Sequence, residues 1–137
     1  MASVLQTTLE ADVAVLGGCA DATRLRILFL LAVRELCVCE LVEILRMPQG
    51  KVSRHLTVLR NAGLVRPRRE GTWMHYSLAP ATSALARRLS AYLREAPCEV
   101  AAADRQRLGC LASGRTACCD LAGGRRSPGD HLRTGGR

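Results

Sequence analysis

Residues 37–64 of the chain, CVCELVEILRMPQGKVSRHLTVLRNAGL, predict two short helices joined by a tight turn. In each half, apolar residues recur every three or four positions, which is the spacing of one buried helix face. Between the halves, Pro48 and Gly50 interrupt the pattern, because proline lacks a backbone N–H and glycine frees the backbone. Gly63 gives the second helix a C-terminal stop. The apolar residues concerned are Leu41, Ile44 and Leu45 in the first helix, and Val52, Leu56 and Leu59 in the second.

Two helices around such a turn predict a helix-turn-helix, in which the second helix enters the major groove of DNA. The outward face of the second helix carries polar and basic side chains. Gln, Arg and Lys can hydrogen-bond base edges, while Ser, Lys and the helix N-terminus can hold phosphates. Taken alone, the sequence of this helix fits an ordinary solvated surface helix as well as it fits a DNA-reading helix. The candidate DNA-binding residues are Gln49, Lys51, Ser53, Arg54 and His55.

The segment after Gly63 predicts a β-hairpin with a basic first arm. Gly71 marks the turn, and apolar residues alternate along the second arm. The first arm and tip carry Arg66, Arg68 and Arg69, which can straddle a phosphate backbone. A hairpin directly after a helix-turn-helix forms a wing, and this order of elements favours a wing over an ordinary surface hairpin. The expected fold class is mostly α with a small β-hairpin, a dimeric winged helix-turn-helix.

The formal net charge is +8, and its distribution favours the same interpretation. Residues 46–75 hold seven basic residues and one acid, whereas residues 1–45 hold three basic and six acidic residues. A basic middle beside an acidic first third is the electrostatic footprint expected of a DNA-binding protein. Nucleic-acid binding by aromatic stacking is not expected, because the chain has only one Trp, two Tyr and one Phe.

Nothing in the sequence predicts export or membrane insertion. Residues 1–20 lack a basic n-region, and the apolar run at 27–33 is too short to span a bilayer. We therefore expect a soluble cytoplasmic protein with no membrane partner. In that compartment the seven cysteines should be thiols, and their odd number also argues against a disulfide framework.

Further helices are predicted on both sides of the central region. Gly17-Gly18 is expected to end the first of them, and Asp21 to cap the second. The first and third carry apolar stripes that a small winged domain does not need, so we expect them to pair across a two-fold axis in a homodimer. The predicted ranges are 4–17, 22–32 and 82–96.

The chain is expected to divide into two parts. Residues 1–98 form the predicted DNA-binding and dimerisation domain. Residues 99–137 form a Gly/Arg-rich, cysteine-containing extension. A short helix is expected at 99–111, and the tail from Ala112 onward should be largely disordered.

Together these stretches resemble the ArsR/SmtB family of metal- and metalloid-responsive winged-helix repressors. The resemblance covers roughly residues 14–92, and the Cys-Val-Cys pair at the head of the first motif helix is similar to the arsenite-sensing branch. It implies a homodimer that binds double-stranded operator DNA, represses a resistance operon and is released by its inducer, arsenite or antimonite, with no permanently bound cofactor. The stretches that carry it are DATRLRIL at 21–28, ELCVCEL at 35–41, KVSRHL at 51–56, AGLV at 62–65 and the hairpin from Arg68 to Tyr76.

The resemblance also implies roles for single residues. Pro48 stands where a Ser or Thr often caps the recognition helix, and Val42 stands where some arsenite sensors have a third cysteine. A third thiolate must then come from elsewhere, or the site uses two. The implied roles are DNA reading for Gln49, Ser53, Arg54 and His55, DNA backbone contact for Arg68 and Arg69, and inducer binding for Cys37 and Cys39.

Two sets of cysteines are candidate inducer sites, because trivalent arsenic and antimony are soft and prefer thiolates. Cys37 and Cys39 are favoured, but at i and i+2 of an ideal helix their side chains point about 200° apart. We therefore expect inducer binding to unwind that turn and displace the recognition helix. Cys110, Cys118 and Cys119 form the second candidate site, or supply the third ligand to the first. Buried small hydrophobes or spare thiols are the alternative interpretation of either set.

Three other functions compete with this one: a thiol redox sensor, an enzyme and a non-sensing dimerisation module. The basic face of the recognition helix and the basic wing argue against the dimerisation module. A thiol redox sensor on the same fold is the main alternative, with Cys37/Cys39 or Cys118/Cys119 closing as a disulfide switch. An enzyme is not expected, because no Cys-His-Asn/Asp arrangement and no Gly-rich phosphate loop is present. A zinc site on the helix at 82–96 is not expected, because its only acid is Glu95 and it has no His.

Overall fold

The computed structural model describes residues 2–96 and 99–112, which form six helices and one three-stranded sheet. Both strand pairings are antiparallel, in the order β1-β3-β2. We name α3 and α4 the helix-turn-helix, α4 the recognition helix, and the β2–β3 hairpin the wing. The elements are α1 (Ala2–Cys19), α2 (Ala22–Leu31), β1 (Leu36–Cys37), α3 (Val38–Leu45), α4 (Gln49–Asn61), β2 (Val65–Glu70), β3 (Trp73–Leu78), α5 (Ala84–Glu95) and α6 (Ala102–Ala112).

The helix-turn-helix lies at the centre of the core. All six apolar residues predicted to face inwards are buried, which confirms both helices. Arg46 ends α3 in the left-handed conformation, with φ 55°, and its N–H donates to Val42 O. Gly63, with φ 75°, follows α4 as predicted, since glycine adopts that conformation without a Cβ clash. The buried residues of α2, Ile27 to Leu31, complete the packing around the motif.

Helix α1 continues through both glycines to Cys19, so the predicted end at Gly17-Gly18 is wrong. Gly18 is a packing residue, because a Cβ there would lie 2.9 Å from Leu64 Cδ1. The end of α1 is stabilised by Arg24, whose Nε donates to Gly18 O at 2.8 Å. Asp21 caps α2 as predicted and accepts the backbone N–H of Arg24 at 3.0 Å.

The wing is the β-hairpin that the sequence predicted, with Gly71 at φ 60° in its turn. The two-residue strand β1 was not predicted. Within it, Leu36 pairs with Tyr76 and Cys37 pairs with His75. Strand β1 therefore attaches the residue at the head of α3 to the middle strand of the sheet.

The last two helices share α2 as a neighbour but otherwise contact different helices. Helix α5 begins after Ser83, whose hydroxyl accepts the N–H of Ala86 at 3.1 Å, and it contacts α1 and α2. The predicted short last helix is present as α6, which contacts α2 and α3 and buries Leu108 and Asp104. The disorder expected after Ala112 concerns residues outside the described ranges. No helix in those ranges is long and apolar enough to cross a membrane.

Candidate nucleic-acid interface and thiol site

The recognition helix presents a polar face to solvent. Gln49, Lys51 and Arg54 are exposed, and Ser53 is half-buried. The N-cap residue is Pro48, which has no side-chain acceptor for the first amides of the helix. The positive end of the helix dipole is therefore left uncapped by the protein. Such an end, flanked by Gln, Lys and Arg side chains, is suited to phosphates and base edges.

His55 is placed differently from the other candidate DNA-binding residues of this helix. Its side chain is only 16% exposed, and its Nδ1 lies 3.9 Å from Asp21 Oδ1 at the N-terminus of α2. The expectation that His55 points outward is therefore wrong. The reason is its position three residues after Val52, about 300° around the helix, which brings it back beside the buried stripe.

The three wing arginines are all exposed residues, but Arg68 is engaged within the protein. Its Nε donates to Glu35 Oε1 at 3.1 Å, and its Nη2 donates to Glu70 Oε2 at 3.2 Å. The hydrogen bond from Arg68 lowers the pKa of Glu35 below that of an ordinary carboxyl group. His75 adds to this cluster, with Nε2 3.5 Å from Glu70 Oε2. Arg68 thus ties the wing to the connector that precedes β1.

Cys37 and Cys39 lie at the head of α3, where the structure joins them as a disulfide. The helix begins at Val38, so Cys37 is its N-cap residue, with extended φ −81° and ψ 160°. The premise that both side chains leave one ideal helix in opposite directions is therefore wrong. Their Cα atoms are 5.4 Å apart and their sulfurs are adjacent, so one metalloid can reach both without unwinding the helix. The expectation that every cysteine is a thiol also fails for this pair.

The sulfur of Cys37 has a structural role at the first turn of α3. Cys37 Sγ accepts the N–H of Glu40 at 3.4 Å, and Glu40 Oε2 accepts the N–H of Cys37 at 3.1 Å. This reciprocal arrangement is a capping box, which satisfies two amides at the helix start. Arg34 holds the same carboxylate, with Nη1 3.3 Å from Oε2. Cys37 is therefore both a candidate ligand and the cap of the helix.

Cys39 faces a groove of about 310 Å³ between α3, the recognition helix and the wing. The same groove is lined by Gln49 and Ser53 of the recognition helix, and by Trp73 and Tyr76 of the wing. The structure thus brings Cys39, one of the two favoured inducer residues, next to two of the candidate DNA-reading residues. No local sequence pattern indicated this, because the two sets belong to different elements of the motif.

Cys110 lies in a different cleft from the one that Cys39 lines. It lines the cleft between α6 and the C-terminal half of α3, beside Glu43 and Arg46. Cys37 and Cys39 are at the other end of α3, so this arrangement does not bring Cys110 to them as a third ligand.

Among the residues that the structure describes, no further cysteine adds a third thiolate to the pair. Across residues 2–96 and 99–112, no three His, Cys, Asp or Glu side chains form a cluster able to hold a metal ion. Cys118 and Cys119 lie outside the described ranges, so the second candidate site stays a prediction. Cys19 is half-buried, and burial raises the pKa of its thiol, against a smaller opposing effect of Arg24.

Known proteins with similar sequences are transcriptional regulators. Residues 21–66 match the family described as "Bacterial regulatory protein, arsR family". The chain is 52% identical over 62 residues to the arsenical resistance operon repressor of Escherichia coli, covering 44% of this chain and 53% of that protein. It is also 52% identical over 62 residues to an arsenic resistance transcriptional regulator of Pseudomonas putida, covering 44% and 48%. The chain spans about half the length of these curated relatives.

Solved structures agree with the sequence comparison. HlyU from Vibrio cholerae is 34% identical, with a TM-score of 0.57, over 65% of this chain and 94% of that one. A homodimeric winged helix-turn-helix DNA-binding domain from Mycobacterium bovis, a possible ArsR-family regulator, is 34% identical, with a TM-score of 0.57, over 65% and 80%. The fold and relatives are those of transcriptional regulators and not of enzymes. The chain belongs to the arsR family of bacterial regulatory proteins.

Proposed function

We propose that this chain is a cytoplasmic transcriptional repressor that binds operator DNA as a homodimer and leaves it when trivalent arsenic or antimony binds cysteine thiolates. Cys37 and Cys39 supply the ligands, and the recognition helix and wing contact DNA. The protein holds no permanently bound cofactor. The observation that carries the proposal is the position of the cysteine pair at the head of the helix-turn-helix, with Cys39 in the same groove as Gln49 and Ser53.

Ligand exchange at the site begins from two thiols, which a monothiol reductant regenerates from the disulfide while being oxidised to its own disulfide. Arsenous acid, As(OH)₃, then exchanges two hydroxides for the sulfurs of Cys37 and Cys39. Two As–O bonds break, two As–S bonds form, and the thiol protons leave with the hydroxides as two waters. Arsenic stays trivalent throughout. The soft arsenic centre and the soft thiolates make the exchange favourable.

The helix cap couples the site to DNA binding. When Cys37 Sγ is bound to arsenic, it is a poorer acceptor for the N–H of Glu40, so the capping box at the start of α3 is weakened. Losing an N-cap costs about 0.5–2 kcal/mol. Allosteric couplings of about 1–3 kcal/mol change affinity roughly 5- to 150-fold. Loss of the cap therefore reaches the lower part of that range without any unwinding of the helix.

An apolar surface on α1 and α5 supports a homodimer. Leu9, Val13 and Leu16 of α1 are 65%, 60% and 58% exposed, and Tyr92 of α5 is 51% exposed. The two helices contact each other, and apolar patches on soluble proteins commonly mark interaction sites. The similar Mycobacterium bovis domain is itself homodimeric. Equilibrium sedimentation should give a dimer at micromolar concentration, and a monomer there would contradict this part of the proposal.

Release from DNA tests the inducer site. Fluorescence anisotropy of a labelled duplex from the region upstream of the protein's own coding sequence reports binding by the reduced full-length chain. Arsenite should release the wild type but not the Cys37→Ser/Cys39→Ser variant. Cys110→Ser is the matched control and should respond like the wild type.

The same arsenite titration shows which part of the proposal is wrong if the expected result is not obtained. Normal release of the Cys37→Ser/Cys39→Ser variant, together with lost release of Cys118→Ser/Cys119→Ser, would move the site to the second cysteine set. Wild-type protein that binds the duplex but ignores saturating arsenite would exclude arsenite as inducer. Wild-type protein that binds no DNA would exclude the repressor function itself.

A thiol redox sensor is a second candidate, favoured by the disulfide between Cys37 and Cys39. In that function hydrogen peroxide takes two electrons and two protons from the thiols, giving one S–S bond and two waters. Release of the duplex by peroxide but not by arsenite would favour this function over the first.

A further inference from the structure

We propose that Glu35 is an internal competitor of the DNA backbone for the wing arginine Arg68. The inference rests on the proposed DNA-binding function and adds a regulatory contact to it. Glu35 lies in the connector before β1, whereas Arg68 lies on β2, so the contact links two separate elements.

The contact occupies the edge of Arg68 that would grip a phosphate. Arg68 Nε lies 3.1 Å and 3.2 Å from the two carboxylate oxygens of Glu35, and Nη2 also contacts Oε1. Nη2 donates as well to Glu70 Oε2 at 3.2 Å. The guanidinium fork fits a carboxylate and a phosphate in the same way, through two parallel N–H···O bonds. Arg68 must therefore leave Glu35 before the Nε/Nη2 edge can hold the DNA backbone.

Because both side chains of the pair are partly exposed, exchanging the carboxylate for a phosphate costs little free energy. The side chain of Arg68 is 50% exposed and that of Glu35 is 34% exposed. Ion pairs between exposed side chains contribute little to stability, so a phosphate can displace the carboxylate. The pair therefore moderates DNA affinity and does not block binding. It also holds the wing against β1 when DNA is absent.

The position of Glu35 connects the competitor to the thiol site. Glu35 precedes Cys37 by two residues on the same extended segment, and Cys37 is paired with His75 of the wing. His75 Nδ1 lies 3.9 Å from Glu35 Oε1. Glu35 and Cys37 therefore lie on one short segment that contacts the wing through both Arg68 and His75.

A double-mutant cycle tests the competition. The variants are Glu35→Gln, Arg68→Gln and the two combined, in the reduced full-length chain, with a random-sequence DNA duplex as probe across a series of KCl concentrations. Glu35→Gln should tighten binding by up to about fivefold, the size of effect expected for an exposed ion pair. Its slope of log affinity against log salt should become steeper by up to about 0.9, the value of one phosphate contact. Arg68→Gln should weaken binding and make the slope shallower, and the two changes in slope should together come to about 0.9, because one arginine supplies one phosphate contact.

The combined variant distinguishes competition from a general charge effect. Removing any negative charge near DNA favours binding, but that effect is the same with or without Arg68. Competition predicts that Glu35→Gln loses most of its effect in the Arg68→Gln background. Equal tightening in both backgrounds, or weaker binding by Glu35→Gln alone, overturns the inference. Failure of the wild type to bind any duplex overturns the proposed function and this inference together, whereas normal binding with zero coupling overturns this inference alone.

Discussion

Asp104 of α6 accepts two hydrogen bonds from the guanidinium of Arg26 in α2, at 2.7 Å from Nε and 2.8 Å from Nη2. The carboxylate is 3% exposed, whereas the arginine side chain is 33% exposed. The pair raises the pKa of Arg26. Arg107, in the same helix, donates to Ile44 O at 2.9 Å. Helix α6 is thus fixed to α2 and to the last turn of α3.

Truncating Arg26 should cost more stability than truncating Asp104. Arg26→Ala leaves a buried carboxylate with the more distant Arg107, 3.4 Å away, and breaking a buried pair in this way costs about 3–5 kcal/mol. Asp104→Ala leaves a partly exposed guanidinium that water can solvate, so we expect about 1.5–3 kcal/mol, the value of a hydrogen bond to a charged group. Urea unfolding at neutral pH measures both. Equal losses of unfolding free energy in the two variants, or a larger loss in Asp104→Ala, would contradict this prediction.

Gly17 and Gly18 should respond in opposite directions to alanine. A Cβ at Gly18 would lie 2.9 Å from Leu64 Cδ1 and 3.0 Å from Ala62 Cβ, whereas nothing lies within 4 Å of one at Gly17. Gly18→Ala should destabilise the fold by about 1–3 kcal/mol through overpacking. Gly17→Ala should stabilise it by about 0.5–1 kcal/mol, because alanine is the better helix former. Thermal unfolding of the two variants checks the signs, and a stable Gly18→Ala variant would mean that α1 can shift away from Leu64.

The cap of α2 should be lost at acid pH. The backbone N–H of Arg24, with smaller effects of the Arg24 and His55 charges, lowers the pKa of Asp21. A carboxyl whose pKa is lowered by folding stabilises the protein above its unfolded pKa, and that stability is lost as the pH falls through the lower folded pKa. Asp21→Ala should cost about 1 kcal/mol at neutral pH.

Asp21→Asn is the control, because asparagine caps helices without titrating. Relative to Asp21→Asn, the wild type should lose stability as the pH is lowered past the carboxyl range, as followed by urea unfolding. A difference that is constant across that range would show that the charge of Asp21 has no part in the cap.

Replacing Cys37 should separate capping from inducer binding. Serine is a strong N-cap and can accept the N–H of Glu40, whereas alanine cannot. Cys37→Ala should therefore be less stable than Cys37→Ser by about 0.5–2 kcal/mol. Neither variant should be released from DNA by arsenite. Equal stability of the two, measured by urea unfolding, would show that the capping bond contributes little, and arsenite release of either would exclude Cys37 as a ligand.

Local patterns predicted the parts of the fold that depend on local spacing. The helix-turn-helix follows from six apolar residues that keep one helical period on each side of Pro48. The wing follows from Gly71 and the alternation beyond it. Strand β1 has two residues, too few to show any period, and Cys37 continues the helical spacing of Leu41 and Ile44. Its extended conformation depends on pairing with His75, which is distant in the sequence.

Several contacts, two of them at the candidate site, join ionisable residues that are far apart in the chain. Arg68 with Glu35, His55 with Asp21 and Arg26 with Asp104 are such pairs. A single charged residue carries no periodicity, so its partner is decided by how the elements pack. For that reason the sequence predicted the basic character of the wing but not that Arg68 is held by a carboxylate.

In the proposed switch, Cys37 Sγ has two partners in turn. It accepts the N–H of Glu40 in the DNA-bound protein, and it binds arsenic in the released protein. The free-energy coupling between two such events is reciprocal, so operator DNA must weaken arsenite binding by the same factor by which arsenite weakens operator binding. Repressor already seated on DNA therefore needs more arsenite than repressor free in solution. The dose at which a cell responds is then set by the number of operator copies as well as by the chemistry of the thiols.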